Sequence, residues 1–399
     1  MKKLRSLEDL GVAGKRVLVR VDFNVPVQNG RVISDTRVRQ AVPTLKELVA
    51  KGAKVIVASH MGRPKGEIVP ELSLEPVAQS LKTHMPETDI SFVTDTIGQA
   101  AKTASYALLP GQILVLENLR FLPGEECNDY DVIRGLAQLA DLYVDDAFSC
   151  AHRAHASIEG IAKYLPSAAG RLMAREIDSL SRALENPARP LTAVIGGSKI
   201  STKLGILENL VTNVQNLVIG GAMANTFLLA DGLGIGTSLC EPDMVGTVKR
   251  IKVKAEEQGC ELILPSDAVT APALEAGIDT RTVGIDEVPA DQMILDLGPK
   301  SVARLTNVFA DSKTVIWNGP LGAFEVPPFN DGTKAAARQV AVLTASGELI
   351  SIAGGGDTVA ALEAAGSADD FSYVSMAGGA FLEWLEGRAL PGVAVLLDG

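Results

Sequence analysis

The sequence predicts an α/β protein made of two three-layer lobes, each with a parallel sheet, joined by an interdomain helix. Short apolar runs typical of buried strands alternate with longer segments of helical periodicity, which indicates parallel sheets covered on both faces. The chain has 399 residues, a length that favours two or three domains. One amphipathic segment, 167–186, separates strands that end in charged residues from strands that end in glycines. We therefore expect two Rossmann-like lobes with different chemistry.

Ten apolar runs are predicted as strands, and helical segments separate most of them. The runs are Val17–Arg20, Val55–Ser59, Ile113–Leu116, Leu142–Val144, Leu191–Ile195, Leu217–Ile219, Leu262–Leu264, Thr314–Trp317, Leu349–Ile352 and Tyr373–Ser375. An all-β fold would require tight two-residue turns between most of these strands. Long helical segments stand there instead, so we expect ligands beyond the carboxyl ends of parallel strands.

The segment 167–186 is predicted to be a stiff helix between the two lobes. Its apolar positions recur at helical spacing: Met173, Ile177, Leu180 and Leu184. Ser167 is a plausible N-cap, and Asn186 followed by Pro187 is a stop signal. The alternative is one more packing helix of a single domain, but the length of the chain favours a connector.

The composition excludes several classes of function. Apolar residues make up 47% of the chain, which excludes a disordered protein. The net charge is −11 and the aromatic content is 4%, which argue against nucleic-acid and anionic-membrane partners. The four cysteines show no paired or zinc-binding spacing, which suggests a reducing compartment. Without a signal-peptide pattern or an apolar run of membrane-span length, we expect a cytoplasmic protein.

The strands of the first lobe run into side chains that suit an anionic ligand. These residues are Asp22, Asn24, His60, Arg63, Arg120 and Arg153, and Arg37 begins a helical segment. Arginine presents a planar fork of donors that matches phosphate and carboxylate oxygens. A surface ion pair is the alternative for any single arginine, but so many at strand ends favour a polyanion site. His84 has no assigned role, and His155 is expected to support the site.

Two lysines follow a glycine turn in the second lobe. Gly196 and Gly197 come directly after a strand, and Lys199 and Lys203 follow them. On a helix the two lysines would share one face, because they are four residues apart. A glycine turn feeding a helix N-terminus offers N–H groups to a phosphate. The segment is not a Walker A loop, because the pattern G-x-x-x-x-G-K-[ST] does not occur.

A second turn in this lobe has three consecutive glycines, Gly354–Gly356, followed by Asp357 and Thr358. The glycines allow the backbone to approach a phosphate closely. Asp357 would suit Mg²⁺, which favours carboxylate and phosphate oxygens, and Thr358 can donate its hydroxyl. The alternative role for Asp357 is a helix cap. Other glycine turns follow strands at 220–221 and 318–322, whereas the glycine-rich string 232–236 is predicted to be a loop.

Seven motifs, taken in order along the chain, resemble those of one family. They are Arg20-Val-Asp-Phe-Asn-Val-Pro, Ser59-His-Met-Gly-Arg-Pro, Leu116-Glu-Asn-Leu-Arg-Phe, Ala151-His-Arg-Ala-His, Gly196-Gly-Ser-Lys, Trp317-Asn-Gly-Pro-Leu-Gly and Gly354-Gly-Gly-Asp-Thr. Together they resemble phosphoglycerate kinase, and they cover essentially the whole chain. The resemblance implies a glycolytic enzyme that moves a phosphoryl group between ATP and the carboxylate of 3-phosphoglycerate. The other products and substrates implied are ADP and 1,3-bisphosphoglycerate, with Mg²⁺ accompanying the nucleotide.

The resemblance also implies roles for individual residues. Phosphoglycerate would be bound by Asp22, Asn24, Arg37, His60, Arg63, Arg120 and Arg153. The nucleotide would be bound by Gly196, Lys199, Lys203, Asn318, Glu325, Gly355, Gly356, Asp357 and Thr358, with Asp357 as the metal ligand. The catalytic residues would be Arg37, Lys199 and Lys203.

The implied domains are a phosphoglycerate-binding lobe (1–166), the interdomain helix (167–186), a nucleotide-binding lobe (187–374) and a C-terminal segment (375–399). That last segment would return to the N-terminal lobe and contain a short helix at Glu383. The family usually has Ser-Thr-Gly-Gly-Gly-Ala where this chain has Ser375-Met376-Ala377-Gly378-Gly379-Ala380. This departure bears on lobe closure more than on the reaction type. We expect a monomer.

The implied reaction needs no general base, because a carboxylate nucleophile is already ionised at neutral pH. It requires alignment and charge neutralisation of the transferring group in a dry site, which two closing lobes would supply. Two rival functions stay open: an anion-binding protein without catalysis, and another ATP-dependent carboxylate kinase. Two different anion sites, one in each lobe, favour an enzyme over a protein that binds one ligand.

Overall fold

The computed structural model describes residues 3–398, and the chain forms two compact units. The first unit runs to Ile177 and resumes at Ala389, and the second extends from Asp178 to Arg388. Each unit contains a six-stranded parallel sheet, so the predicted fold class is confirmed. Within residues 3–398, none of the helices combines the length and the apolar character needed to cross a membrane.

The described part of the first unit up to Ile177 contains eight strands and five helices, and a sixth helix runs across the boundary. The strands are β1 (Arg16–Arg20), β2 (Val27–Gln28), β3 (Arg31–Val32), β4 (Lys54–Ala58), β5 (Ile90–Phe92), β6 (Ile113–Val115), β7 (Leu142–Asp145) and β8 (Ser167–Ala169). The helices are α1 (Thr36–Ala50), α2 (Glu75–His84), α3 (Gln99–Ala107), α4 (Tyr130–Ala137), α5 (Ile161–Tyr164) and α6 (Arg171–Leu184). The parallel sheet has the order β5-β6-β4-β1-β7-β8, and β2 pairs with β3 in a separate antiparallel hairpin.

The central strand of the first sheet shows why the sequence analysis could find it. Val17, Leu18 and Val19 are each fully buried, although successive side chains of a strand point to opposite faces. The sheet is therefore covered on both faces, which is the condition that produces a continuous apolar run. The apolar run of β1 ends at Arg20, which is the last residue of the strand.

The second unit contains nine strands and seven further helices. The strands are β9 (Leu191–Ile195), β10 (Asn216–Ile219), β11 (Glu261–Ile263), β12 (Asp267–Ala271), β13 (Arg281–Gly284), β14 (Met293–Leu297), β15 (Thr314–Asn318), β16 (Ile350–Gly354) and β17 (Tyr373–Ser375). The helices are α7 (Leu204–Leu210), α8 (Ala222–Ala230), α9 (Val245–Glu257), α10 (Pro299–Asp311), α11 (Asp331–Ala345), α12 (Gly356–Ala365) and α13 (Gly379–Leu385). A last short helix, α14 (Pro391–Ala394), lies in the part of the chain that rejoins the first unit.

Two sheets of different kinds make up the second unit. Six strands form the parallel sheet β11-β10-β9-β15-β16-β17, and three form the antiparallel sheet β13-β12-β14. The sequence analysis did not predict the antiparallel sheet. Its edge strand β13 is exposed at Arg281 and Thr282 and carries no apolar run that would mark it as a strand.

The predicted start of the interdomain helix at Ser167 is wrong. Residues Ser167–Ala169 form β8, which pairs with β7, and the helix begins at Arg171. The Asp146 carboxylate accepts hydrogen bonds from the N–H groups of Leu172 (2.8 Å) and Met173 (3.2 Å). This acceptor takes the capping role that the sequence analysis gave to Ser167. The helix ends at Leu184, as the stop signal predicted.

The segment that returns to the first unit is shorter than the predicted 375–399. Residues up to Arg388 belong to the second unit, where Asn209 Nδ2 donates to the carbonyl of Leu385 at 2.8 Å. From Ala389 onward the chain lies in the first unit, and Gly392 N–H donates to the carbonyl of Ala151 at 2.9 Å. The short helix predicted around Glu383 is present as α13.

The segment that departs from the family pattern lies at the end of the last strand of the second sheet. Its Ser375 hydroxyl accepts a hydrogen bond from Ala377 N–H at 3.2 Å, and Ala377 is buried. The methyl group of Ala377 is therefore packed inside the second unit.

Candidate active site

Three adjacent strands of the first sheet bring charged residues to one edge. β4, β1 and β7 are neighbours and run parallel, so the residues that follow them meet beyond their carboxyl ends. Arg20 ends β1, His60 follows β4 by two residues, and Asp145 ends β7. This edge is the place where the sequence analysis expected an anion to bind.

Asp22 is the ionised centre of this edge. Its Oδ2 accepts hydrogen bonds from Arg37 Nη1 at 2.7 Å and from Ser149 Oγ at 2.5 Å. Burial acts to raise the pKa of Asp22, but His60 in its protonated form, the charge of Arg37 and these hydrogen bonds act in the opposite direction, and the pKa lies below its ordinary value. Arg37 Nη1 also donates to the carbonyl of Asn24 at 3.1 Å. Among residues 3–398 the other guanidinium nitrogens of Arg37 have no hydrogen-bond acceptor, which leaves them available to a ligand.

Arg20 and His60 form a buried pair next to Asp22. Arg20 is 1% exposed, and its Nη2 lies 3.1 Å from His60 Nδ1. Burial and the charge of Arg20 hold the pKa of His60 well below its ordinary value, so the ring is neutral at pH 7. Arg37, rather than His60, therefore compensates the charge of Asp22.

Asn24 and Arg120 hold the loop that follows β4. Asn24 Oδ1 accepts a hydrogen bond from Gly62 N–H at 3.0 Å, and Arg120 Nη1 donates to the carbonyl of Gly62 at 2.7 Å. Arg120 Nε also lies 3.2 Å from a carboxylate oxygen of Glu126. Residues from three segments of the chain are thus tied together at this loop, as the predicted site requires.

Arg63 and Arg153 are, with Asn24, the exposed members of the predicted set. Burial, followed by the charges of Arg20, Arg120 and Arg153, lowers the pKa of His155 to about 4. Arg153 therefore lies near the same ring as Arg120. Arg63 stands next to Gly62 in the loop, but no side-chain contact within residues 3–398 ties it to the others. His155 Nδ1 lies 3.9 Å from Glu125, consistent with the expected supporting position.

Asp22, His60 and Cys150 offer three atom types that bind metal ions, within 4.8 Å of one another. Guanidinium groups already contact two of these residues, since Arg37 bonds Asp22 and Arg20 bonds His60. Burial raises the pKa of the Cys150 thiol to about 11, so deprotonation of this thiol would oppose metal binding at neutral pH. We therefore assign no metal ion to this cluster.

In the second unit, the glycine turns pack where a side chain would not fit. A Cβ on Gly196 would lie 1.9 Å from the carbonyl oxygen of Pro320. Gly355 has a φ of 101°, and a Cβ there would lie 2.5 Å from Asn318 Nδ2. The N–H of Gly196 donates to the carbonyl of Asn318 at 2.8 Å. The loops after β9 and β15 are therefore packed backbone against backbone, and the loop after β16 packs against the side chain of Asn318.

Asn318 and Thr358 hold these turns together. Asn318 Nδ2 donates to the carbonyl of Gly354 at 2.6 Å, and its Oδ1 accepts a hydrogen bond from Lys203 Nζ. Thr358 Oγ1 donates to the same carbonyl at 2.8 Å and accepts from Gly319 N–H at 2.7 Å. The hydroxyl proton of Thr358 is thus used inside the protein, whereas the sequence analysis expected it to reach a ligand.

Lys199 and Lys203 do not share a helix face, so that prediction is wrong. Helix α7 begins only at Leu204, and Lys203 N–H donates to the carbonyl of Ile200 at 2.8 Å in a turn. Lys199 is exposed and Lys203 is half-buried. Burial lowers the pKa of Lys203, while the charge of Asp357 acts in the opposite direction. Lys203 is thus within the electrostatic reach of Asp357.

A cavity of about 310 Å³ opens beside the glycine turns. Its lining combines two predicted nucleotide-binding residues, Glu325 and Asp357, with Ser198 and an apolar wall that includes Leu239, Leu274, Met293, Leu295 and Phe324. Asp357 is exposed in the first turn of α12, and it makes no hydrogen bond or ion pair with any of residues 3–398. The N-cap of that helix is Gly355, so the alternative role of Asp357 as the cap is not observed.

The sequence analysis missed two groups of residues at these sites. Arg20 was read only as part of a motif, although a charged residue at the end of a buried strand is a signal that could have singled it out. The apolar wall of the cavity comes partly from β14, which belongs to the unpredicted antiparallel sheet. No local pattern marks such residues, because apolar side chains are common throughout a core.

A guanidinium-rich edge on one parallel sheet and a glycine-lined cavity beside another define a two-unit α/β protein with two candidate anion-binding sites. The phosphoglycerate kinase family model matches residues 7–388, and the chain belongs to that family. It is 57% identical over 392 residues to a phosphoglycerate kinase of Ruegeria sp., covering 98% of this chain and 99% of that one. It is also 54% identical over 393 residues to a phosphoglycerate kinase of Zymomonas mobilis, covering 98% of this chain and 99% of that one.

Solved structures agree with this assignment. The structure of phosphoglycerate kinase from Coxiella burnetii matches with a TM-score of 0.93 and 42% identity, covering 99% of both chains. The structure of the Pyrococcus horikoshii enzyme matches with a TM-score of 0.81 and 28% identity, covering 98% of both. These matches support the Rossmann-like character of both predicted lobes.

Proposed function

We infer that this chain catalyses reversible phosphoryl transfer between ATP and the carboxylate of 3-phosphoglycerate, yielding ADP and 1,3-bisphosphoglycerate. This is the glycolytic reaction of its family, and the family match over residues 7–388 is the observation that carries the inference. The direct test mixes the protein with MgATP and 3-phosphoglycerate and measures ADP. ADP formation that does not depend on 3-phosphoglycerate, or that occurs equally with an unphosphorylated hydroxy acid, would contradict it.

For the first unit we propose that phosphoglycerate is bound by Asp22, Asn24, Arg37, His60, Arg63, Arg120 and Arg153. The exposed guanidinium groups of Arg63 and Arg153 supply positive charge to a ligand that arrives from solvent. Asp22 orients Arg37 through the 2.7 Å hydrogen bond. The other guanidinium nitrogens of Arg37 have no acceptor among residues 3–398, so they can donate hydrogen bonds to the substrate.

For the second unit we propose that the nucleotide is bound by Gly196, Lys199, Lys203, Asn318, Glu325, Gly355, Gly356, Asp357 and Thr358. The apolar wall of the cavity suits a purine base, and the glycine turns suit the phosphates. Asn318 holds Lys203 Nζ, which keeps its position defined. Thr358 contributes by shaping the turn, because its hydroxyl is bonded to the backbone.

The catalytic roles follow from the charge of the reaction. The substrate carboxylate is already a nucleophile, so no residue needs to remove a proton from it. Arg37, Lys199 and Lys203 neutralise the charge that spreads over the transferring phosphoryl group, and they align it with the carboxylate. The neutral ring of His60 fits this scheme, because it acts as a hydrogen-bond donor and not as a base.

Asp357 would hold Mg²⁺ together with phosphate oxygens of the nucleotide. Its carboxylate fits this role because it is exposed beside the cavity and has no partner within residues 3–398. When bound, the ion supplies neutralisation of phosphate charge. Calorimetry of Asp357→Ala should show a larger loss of affinity for MgADP than for metal-free ADP, with Asp369→Ala as an exposed control. Equal losses for both ligands would remove Asp357 as the metal ligand.

We also propose a cytoplasmic monomer without nucleic-acid partners. The net charge of −11 disfavours association with polyanions such as nucleic acid. Light scattering coupled to size-exclusion chromatography tests the monomer, since a dimer would double the mass.

A further inference from the structure

Arg20 is the most tightly held charged side chain at the edge of the first sheet. It is 1% exposed, and each of its guanidinium nitrogens has a partner. Nε donates to Ser157 Oγ at 2.9 Å, Nη1 donates to the carbonyl of Val21, and Nη2 lies 3.1 Å from His60 Nδ1. The sequence motifs include Arg20, but the proposed function assigns it no contact with a substrate.

A buried carboxyl group continues the chain of hydrogen bonds that begins at Arg20. Ser157 Oγ lies 2.5 Å from Glu125 Oε1, and Ser157 N–H donates to Glu125 Oε2 at 3.1 Å. Arg20 Nε can only donate, so Ser157 Oγ accepts from it, and the single hydroxyl proton of Ser157 is directed to Glu125 Oε1. Glu125 is 1% exposed, which makes this arrangement costly to rearrange. Arg20 therefore has one defined orientation.

The contact with Arg20 determines the proton position on His60. A guanidinium group has only N–H donors and no acceptor, so His60 Nδ1 must receive the hydrogen bond with its lone pair. A proton on Nδ1 would point at an N–H hydrogen of Arg20. Asp22 Oδ1 is no competing acceptor for such a proton, because it lies 4.0 Å from Nδ1, beyond hydrogen-bond distance.

We propose that Arg20 is a positioning residue that holds His60 as the neutral tautomer with its proton on Nε2, so that the ring presents a donor to phosphoglycerate. The substrate part of this inference rests on the proposed function. Within residues 3–398 no hydrogen-bond acceptor contacts His60 Nε2, so its N–H group is available to a ligand. The charged groups that act on the ring are Arg20, Arg37, Arg120 and Asp22. Three of these are cations, and they oppose a second proton on the ring.

The tautomer can be measured directly on the full chain without substrate. Two-dimensional NMR of protein labelled with ¹⁵N-histidine distinguishes a protonated ring nitrogen from an unprotonated one, and His60→Gln identifies the signal among the four histidines. We expect an unprotonated Nδ1 and a protonated Nε2 throughout the neutral pH range. A proton on Nδ1, or a doubly protonated ring at neutral pH, would overturn the inference.

A variant then tests whether this tautomer matters for binding. Ser157→Ala removes the acceptor for Arg20 Nε, and we expect a mixture of His60 tautomers with a roughly tenfold rise in KM for 3-phosphoglycerate. The KM for ATP should not change, and His84→Gln, which alters a half-buried histidine paired with Asp35, serves as the control. A pure Nε2–H tautomer with an unchanged KM in Ser157→Ala would refute positioning by Arg20. If the variant does not fold, the wild-type spectrum decides the tautomer by itself.

The two lines of measurement separate this inference from the proposed function. Absence of ADP formation that depends on 3-phosphoglycerate would refute the function and leave the tautomer result standing. The opposite tautomer in an active enzyme would refute only the inference about Arg20.

Discussion

Replacing Arg37 with alanine tests the first-unit site most directly. Arg37 Nη1 lies 2.7 Å from Asp22 Oδ2, and the two side chains are 31% and 9% exposed respectively. The contact is thus intermediate between a surface ion pair, worth up to about 1 kcal/mol, and a hydrogen bond to a charged group, worth about 1.5–3 kcal/mol. We expect Arg37→Ala to lower the free energy of unfolding by about 1–2 kcal/mol. Ser149 and the Asn24 N–H still bond Asp22, so the fold should survive.

The effect of Arg37→Ala on activity should be much larger than its effect on stability. Removing one donor aimed at developing charge lowers kcat by about 10²–10³-fold in comparable sites. The assay measures ADP from MgATP and 3-phosphoglycerate, with circular dichroism and urea unfolding on the same samples.

Arg39→Ala is the matched control for Arg37→Ala. Arg39 lies on the same helix, with a side chain 59% exposed and an ion pair to Asp35 at 3.0 Å. Its kcat should equal that of the wild type, and its stability should change by less than about 0.5 kcal/mol. A near-normal kcat for Arg37→Ala would refute the catalytic role, whatever the stability result.

Two further predictions concern the glycine turns and the start of α6. Gly196→Ala should weaken ADP binding in calorimetry, because its Cβ would lie 1.9 Å from the carbonyl oxygen of Pro320. Gly234→Ala is the control, since nothing lies within 4 Å of its added Cβ, and unchanged affinity for Gly196→Ala would contradict the packing argument. Asp146→Asn should reduce the pH dependence of stability. Burial raises the pKa of Asp146 to about 6, so its stabilising neutral form is fully present below the unfolded pKa and is lost as pH rises through about 6. The variant keeps a neutral cap at Leu172, and its unfolding free energy should fall less than that of the wild type as pH rises. Identical pH profiles in urea unfolding would show that Asp146 is not responsible.

The strands of both parallel sheets were predictable because burial on two faces leaves a continuous apolar run. The run at Val17–Arg20 is an example, since its apolar residues are fully buried. Strand β8 was not predictable, because Ser167–Ala169 are small residues that directly precede an amphipathic helix. Strand β13 was missed because it lies at an exposed edge of its sheet. A strand in that position needs few apolar side chains, so the sequence shows no apolar run there.

The candidate site was predictable where a motif places a charged residue directly after a strand. Asp22, His60 and Asp357 were found in this way, because the carboxyl ends of parallel strands meet at one edge. The shared helix face of Lys199 and Lys203 was predicted wrongly, because spacing gives a face only if the helix forms, and α7 begins after both residues. The role of the Thr358 hydroxyl could not be predicted either, because one of its hydrogen-bond partners, Gly319 N–H, lies 39 positions earlier in the chain.

By itself, the sequence determined the α/β class, the family and the order of the two sites, because motifs and apolar runs are local patterns. The tertiary structure alone decided which groups face each other. Arg20 meets His60 40 positions away and Ser157 137 positions away. The proton on the His60 ring and the pKa values of Asp146 and Cys150 follow from burial and from neighbouring charges. Those surroundings form only when distant segments pack together, because electrostatic and desolvation effects depend on distance in space and not on separation along the chain.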